Sequence, residues 1–526
     1  MTVENELAHT RHLIIAADEV AAKEKLLALG EKIEDGQRDD QLLEIFAQLG
    51  ELYLVRTAYQ GTEEGLRRMR EIMARYSGGR SVDVDRMLLR YSRRAQFLET
   101  GLAAAHGDHE SAEAALLVLT DDTRAFDDLA DEHAYLVTYA RILCAVALCD
   151  DDLHVRSVPL WEKVIEALDR PGTGGEFDDH LLVIGGTGYG RFCIETGRLS
   201  EAEPWLRRAG ARAEARGWAL AISRTQLERA TACWLTGDRA ETQRLVHEAY
   251  PAIAESWRAH EVSRSWLYLG LIAMSIGELD DADERFGHAE RHWREIEKPL
   301  HIHRILLQRS WVDVFRGDFD AARARTNEAR ELLDSWPRHS WLQYARLDDH
   351  LGGIWRADAL ADPQHAKEKL ERAVELKVPA ALAVDSVRHS IADADARMRW
   401  ATYVSARILA GAFAVAWESE NTELVSELVE YHSARGTFSA EPDREAEAWT
   451  GAATVEVPLE SVEEYALVAA GESPSGGGTA LTRLGPLPPL QMDPTTAPIM
   501  TRYRELAFDR YGRDVTADGP AWPTWP

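Results

Sequence analysis

The sequence predicts an all-α fold, a solenoid of stacked helix hairpins, and three observations carry that prediction. Four glycines in similar surroundings, Gly197 (TGRLSEAE), Gly237 (TGDRAETQ), Gly277 (IGELDDAD) and Gly317 (RGDFDAAR), follow one another at intervals of 40 residues. A period of that length marks a repeat array. Small residues then keep fixed offsets: Ala202, Thr242, Ala282 and Ala322 stand five after each glycine, and Ala209, Ala249, Ala289 and Ala329 seven further on. Glycine supplies the turn between two helices, and small side chains let the second helix approach its neighbour closely. Between the glycines, apolar residues recur at helical spacing.

Taken in chain order, residues 1–38 are expected to form an N-terminal helical cap, because a stack of hairpins needs polar-outward ends. About eight hairpins fill 39–378. Leu49, Gly50 and Tyr53 begin a weak one, Gly107 and Ala112 (HGDHESAE) mark a clearer one, and the last, with Ala366, Leu370 and Ala373, has no turn glycine. A C-terminal helical pair is expected in 379–436, roughly at 392–419 and 421–435. From 437 to 526 the composition changes to a glycine and serine linker (GESPSGGGT), a proline-rich extended stretch (LGPLPPLQMDP), a short amphipathic helix from about Pro498 to Tyr511, and the tail AWPTWP. Trp522 and Trp525 are expected to dock, on the solenoid or on a partner.

From Trp266 onward a family resemblance becomes specific. Trp266, Leu269, Gly270, Ala273, Gly277, Ala282, Phe286 and Ala289 fall at the consensus spacing of the tetratricopeptide repeat, which this segment resembles. The resemblance covers most of the chain and implies a right-handed α-solenoid of about eight such hairpins, followed by a largely irregular tail. The 40-residue period exceeds the family's usual length of about 34, so helices or connections are longer. Residues 378–439 and 481–491 are similar to regions of actinobacterial proteins that combine tetratricopeptide repeats with a caspase-like CHAT peptidase. No caspase-like catalytic segment is visible in this sequence. The likeness therefore implies a regulatory or sensing partner of such a peptidase, in bacterial defence.

Composition narrows the function classes. Eighty-nine acidic against 60 basic residues give a net charge of −29, so nucleic acid and anionic lipid surfaces would be repelled. Cys144, Cys149, Cys193 and Cys233 form no C-x-x-C pair and read as small buried hydrophobes in a reducing compartment. The acidic N-terminus, MTVENELAHTRHLIIAADEV, lacks the pattern of a signal peptide. The longest apolar run, Ile408 to Trp417, is far shorter than the about 20 residues that span a bilayer. A cytoplasmic location with no membrane contact is expected.

Candidate chemistry is sparse. No G-x-x-x-x-G-K-[ST] occurs. The cluster Gly185, Gly186, Gly188 and Gly190 follows an apolar run as a dinucleotide loop would, but Arg191 stands where the third fingerprint glycine is needed. A bent or locally frayed helix is the expectation, since each interior helical glycine costs about 1 kcal/mol. His288 and His292 share a helix face at metal-ligand spacing without a third ligand. His106 with His109 and His301 with His303 read as solvated loop residues, and the acidic runs 121–132 and 150–152 as solvated surface. Cys144 and Cys149 lie on an apolar helix, where a thiol stays protonated and inert. No catalytic, metal or cofactor site is expected, and the protein is not expected to be an enzyme.

What remains is a surface. Thirteen residues before three of the turn glycines stand Arg224, Arg264 and Arg304, each at the start of a hairpin's first helix. By the family resemblance those helices line a concave groove, and the guanidiniums would form a ladder able to fork onto carboxylates. The alternative is that each arginine ties to an acid of a neighbouring repeat. Leu227, Leu267 and Leu307, then Thr231, Leu271 and Trp311, then Trp234, Met274 and Val314 continue the groove phase, with part of this set available to the core; Thr187 and Arg191 extend it towards the N-terminus. Arg191, Arg224, Arg264, Met274, Arg304 and Trp311 are thus the expected partner-binding residues. The predicted function is a scaffold or adaptor for a protein or peptide partner. The other reading is a ligand- or peptide-sensing regulator whose curvature controls an effector.

Overall fold

Gly107, Gly197, Gly237, Gly277 and Gly317 all adopt positive φ, between 70° and 84°, and each separates the two helices of one hairpin. The computed structural model describes residues 2–33, 38–76, 81–122, 126–151, 153–170, 175–256, 258–337, 339–390, 400–433, 499–513 and 515. Two hairpins make the same left-handed turn without glycine, at Ala17 and Thr57. Those substitutions are why the first repeats are faint in sequence.

The first hairpins are α1 (Val3–Ile15) with α2 (Glu19–Lys32), α3 (Asp39–Val55) with α4 (Tyr59–Ala74), α5 (Val82–Ala105) with α6 (His109–Thr120), α7 (Ala130–Asp150) with α8 (His154–Leu168), and α9 (Glu176–Glu195) with α10 (Leu199–Arg216). Then come α11 (Ala219–Leu235) with α12 (Arg239–Glu255), α13 (Ala259–Ser275) with α14 (Leu279–Glu295), α15 (Pro299–Phe315) with α16 (Phe319–Ser335), and α17 (Trp341–Ala361) with α18 (Ala366–Ser386). A π-helical turn, Ala401–Ser405, leads into α19 (Ala406–Glu418), followed by α20 (Thr422–Ser433) and α21 (Thr501–Tyr511). No strand occurs among the described residues. The fold is all-α, of the helical solenoid class.

The chain divides into two compact units inside the repeat array: residues 1–232 with 244–262, and 233–243 with 263 onward. In the first unit, the first helices α3, α5, α7 and α9 neighbour one another in series, and the second helices α2, α4, α6 and α8 each touch the next first helix. This is hairpin stacking in the sense that no hairpin buries its apolar face alone. The helical stretch Asp127–Asp150 is long and apolar enough to cross a membrane, but 61% of its apolar window is buried. Its apolarity faces α5, α6, α8 and α9.

The expectation of a frayed helix at the glycine cluster is corrected. Helix α9 runs unbroken through Gly185, Gly186, Gly188 and Gly190, because each glycine receives a neighbour. A Cβ at Gly190 would lie 2.6 Å from Leu206, and one at Gly188 would lie 2.8 Å from Trp161. Packing offsets the helix cost that glycine alone would impose.

In the second unit the repeat signature works as its chemistry demands. Phe286 is fully buried between Ala282 and Ala289, themselves fully buried, and a Cβ at Gly270 would meet its ring at 2.6 Å. The last core of this unit joins α18, α19, α20 and α21. Helix α18 passes through the expected 378/379 boundary without a break and carries Pro379 inside it; a continuous buried run from Val378 to Val384 holds it there. Trp400 Nε1 donates to Val384 O at 2.9 Å, and Tyr511 Oη donates to Asp348 at 2.6 Å. The glycine and serine linker, the proline-rich stretch, Trp522 and Trp525 lie outside the described residues.

Candidate partner-binding face

In the first unit the expected cap does more than close an end. Helices α1 and α2 pack on α3 through Leu7, Ile14, Ala22, Leu26 and Leu29 against Ile45, Leu49 and Leu52. Helix α1 also lies across the starts of successive first helices. Arg11 reaches Glu44 of α3 at 3.9 Å and Glu132 of α7 at 3.4 Å, and its guanidinium sits 4.9 Å from the Phe177 ring of α9. His12 bonds Glu176 of α9. Ile15 packs with Val183, Ala213 and Trp218, with Ala221 and Ile222 of α11 alongside. At the head of α2, Glu19 accepts from Arg258 at 2.8 Å and stands 3.6 Å from Arg56.

The floor beneath Arg11 is a buried ionic cluster. Arg94 donates to Glu44 at 2.6 Å and lies 3.7 Å from Glu51, while Arg90 donates to Glu132 at 2.7 Å. Tyr91 Oη donates to Glu44 at 3.0 Å. Burial works against ionisation of Glu44 and Glu132, and the Arg94, Arg90 and Arg11 charges outweigh it, holding both carboxyls below the usual range. Near Ile15, burial with the Arg258, Arg11 and Arg224 charges pushes His180 down to about 3, so this imidazole is neutral and bonds Tyr135 at 2.9 Å.

The six expected site residues are placed as follows. Arg191 spends its guanidinium on Asp150 at 2.6 Å and Glu195 at 2.8 Å. Arg224 stands 3.3 Å from Glu261, one hairpin on. Burial opposes the charge of Glu261, but Arg224 and Arg258 hold its carboxyl below the usual range. Arg264 and Arg304 are partly exposed on α13 and α15 of the second unit. Met274 packs, partly buried, against that unit's core. For Trp311 the expectation of an apolar anchor is corrected: it is only 6% exposed, with its ring 5.1 Å from His350 and against Gly353. Leu227 and Leu271 are likewise core residues.

Other candidates resolve into structure. The His292 ring lies tilted against Trp293 and that of His288 against Trp266, with Glu284 beside His288 at 3.6 Å. His109, expected in solvent, is buried and bonds Asp151 at 2.9 Å; His303 is buried and bonds Ala329 O at 3.0 Å. A cavity of 360 Å³ in the second unit is lined by Arg330, Tyr344, Asp348, Leu376, Arg510 and Tyr511. Its central carboxylate, Asp348, is already held by Arg330 and Tyr511. One cluster was invisible to sequence reasoning: Cys149, His154 and Glu195 gather at neighbouring hairpin turns. Cys149-x4-His154 was the only local trace, and Glu195 lies 46 residues beyond Cys149.

No family model matches the chain, and no curated protein matches it. Solved structures that are similar to it include a Rap protein complexed with competence and sporulation factor, at 11% identity and TM-score 0.44, covering 65% of this chain and 96% of that one. The Rap conjugation gene regulator of plasmid pLS20, in complex with the Phr* peptide, aligns at 13% identity and TM-score 0.36 over 73% of this chain and 97% of its own. A circular tandem repeat protein aligns at 15% identity and TM-score 0.20, over 80% and 97%.

Proposed function

We propose that the chain is a protein-recognition scaffold whose first-helix face binds a helical segment. The observation that supports this reading is the occupant already there. In the first unit α1 lies across α3, α7, α9 and α11, and it and the head of α2 present a cation, an aliphatic side chain and a carboxylate in series, Arg11 and Ile15 of α1 and Glu19 of α2. The face offers Glu44 and Glu132, then Val183 and Trp218, then Arg258 and Arg56 in matching order. That is helix-in-groove recognition with charged positions fixing register.

A peptide-sensing regulator is the second reading, favoured because the occupant is a terminal hairpin that a free helix of like chemistry could displace. In its most specific form the partner is a caspase-like CHAT peptidase in a bacterial cytoplasm; this rests on the likeness of residues 378–439 and 481–491 alone. Arg264 and Arg304 offer a second unit's worth of the same recognition to an acidic partner.

The test is exchange. A protease site placed at 34–37 and then cut leaves residues 1–33 held without a covalent bond. A labelled 1–33 peptide should exchange in saturably, and Arg11→Ala in the label should weaken it at least tenfold, about 1.4 kcal/mol. Failure of the labelled peptide to compete, with the cut chain still folded, would refute the groove reading. For the specific partner, a CHAT peptidase co-purified from the native host should compete with the label; a peptidase that binds without displacing it sinks that form.

A further inference from the structure

The turns α7–α8 and α9–α10 bring three different metal-ligand types to one place. Cys149 precedes the last residue of α7, His154 opens α8 and Glu195 closes α9. Their ligating atoms all lie within 4.8 Å of one another, and His154 Nε2 is 3.1 Å from Glu195 Oε2. Zinc bonds of about 2.0 to 2.3 Å in a tetrahedron place donors roughly 3.3 to 3.7 Å apart. The present spacing needs the donors to close by up to about 1.5 Å, within reach of rotamer adjustment, to attain that geometry.

We propose that Cys149, His154 and Glu195 form a binding site for a borderline divalent transition ion of the zinc type, with water completing its coordination. The donor set selects the ion: a thiolate excludes hard calcium and magnesium, and imidazole with carboxylate suits zinc or cobalt. Cys149 is buried, while His154 and Glu195 are partly open to solvent, which leaves an entry path on one side. Thiolate, carboxylate and a dication sum to zero net charge.

The surroundings orient these groups. Arg191 donates to Glu195 Oε1 at 2.8 Å, which fixes the carboxylate and leaves Oε2 towards His154. Its other arm is neutralised by Asp150 at 2.6 Å. On binding, the ion replaces the thiol proton of Cys149, which leaves to solvent as the sulfur–metal bond forms.

Cobalt(II) titrated into the reduced, chelator-treated full-length chain tests the site. One equivalent should bind saturably with the ligand-field bands of a tetrahedral ion and a sulfur-to-cobalt charge-transfer band, and zinc should displace it. Cys149→Ser should abolish the charge-transfer band, whereas Cys233→Ser should leave it unchanged. His154→Gln, which removes no core side chain, should weaken binding at least tenfold with the helical circular dichroism intact. Absence of saturable binding, survival of the charge-transfer band in Cys149→Ser, or unaltered affinity in His154→Gln would overturn the proposal.

Discussion

The contact between Glu19 and Arg258 should behave as a strong, local tie between the terminal hairpin and the rest of the first unit. Glu19 is 4% exposed and accepts from both Nε and a terminal nitrogen of Arg258, a residue 239 positions away. Breaking a buried pair by removing one partner costs about 3 to 5 kcal/mol, because the other charge is stranded. Arg258 retains a weaker neighbour, Glu261 at 4.0 Å, so Glu19→Ala should fall at the low end, about 3 kcal/mol. In a unit of this size that lowers its melting temperature by roughly 6 to 12 °C. The assay is a double-mutant cycle with Arg258→Ala in the full chain, read by urea unfolding and by hydrogen exchange of α2 amides. Coupling of about 2 kcal/mol or more is expected. Coupling under about 0.5 kcal/mol would refute the reasoning.

Two further outcomes follow from burial. Phe286→Ala, at a fully buried ring under Gly270, should cost about 3 to 5 kcal/mol in chemical unfolding of the second unit; a loss below about 1 kcal/mol would contradict the packing. His180 and His350 are both held down to about 3, His180 by burial and nearby arginines and His350 by burial and Lys377. Their folded-state pKa lies below the unfolded value of about 6.5, so their stability contribution is whole above that pH and declines as pH falls towards 3. From pH 7 to pH 5 each should subtract about 2 kcal/mol, seen as a falling melting temperature that His180→Gln or His350→Gln flattens.

Sequence periodicity disclosed the fold because turn glycines and small packing residues are local necessities. Gly197, Gly237, Gly277 and Gly317 all take the left-handed turn, and the eight signature positions from Trp266 to Ala289 lie in one helix pair, α13 with α14. Helix ends were less legible, as at Pro379, where a proline that reads as a stop is carried inside a buried helix. The site was legible only in part. A position's phase on a first helix does not say whether a neighbour covers it: Trp311 shares the phase of a groove residue and is packed inside, and Met274 is partly buried against the core. The α1 contacts with α7, α9 and α11 join residues more than 100 positions apart, and Cys149, His154 and Glu195 meet across two hairpin turns. No spacing rule encodes either.

The arginines explain how so acidic a chain stays ordered. Many of them reach a carboxylate about one repeat away: Arg75 to Asp39, Arg216 to Asp179, Arg224 to Glu261, Arg316 to Asp280 and Arg323 to Asp358 are 35 to 37 positions apart. The first two join the two helices of one hairpin, α3 with α4 and α9 with α10, and the other three join one hairpin to the next; where the acid is buried, as at Asp39, Asp179 and Asp358, misregister would strand a charge. Register within a hairpin is therefore specified by close packing at Gly270 or Gly190 together with ties such as Arg216 to Asp179, and register between hairpins by ties such as Arg224 to Glu261 and Arg323 to Asp358. The recurrence of arginine on the helices is thus in part the recurrence of the interface itself. Of the ladder expected from the sequence, Arg224 belongs to this structural class through Glu261. Its second-unit members, Arg264 and Arg304, stand partly exposed on α13 and α15.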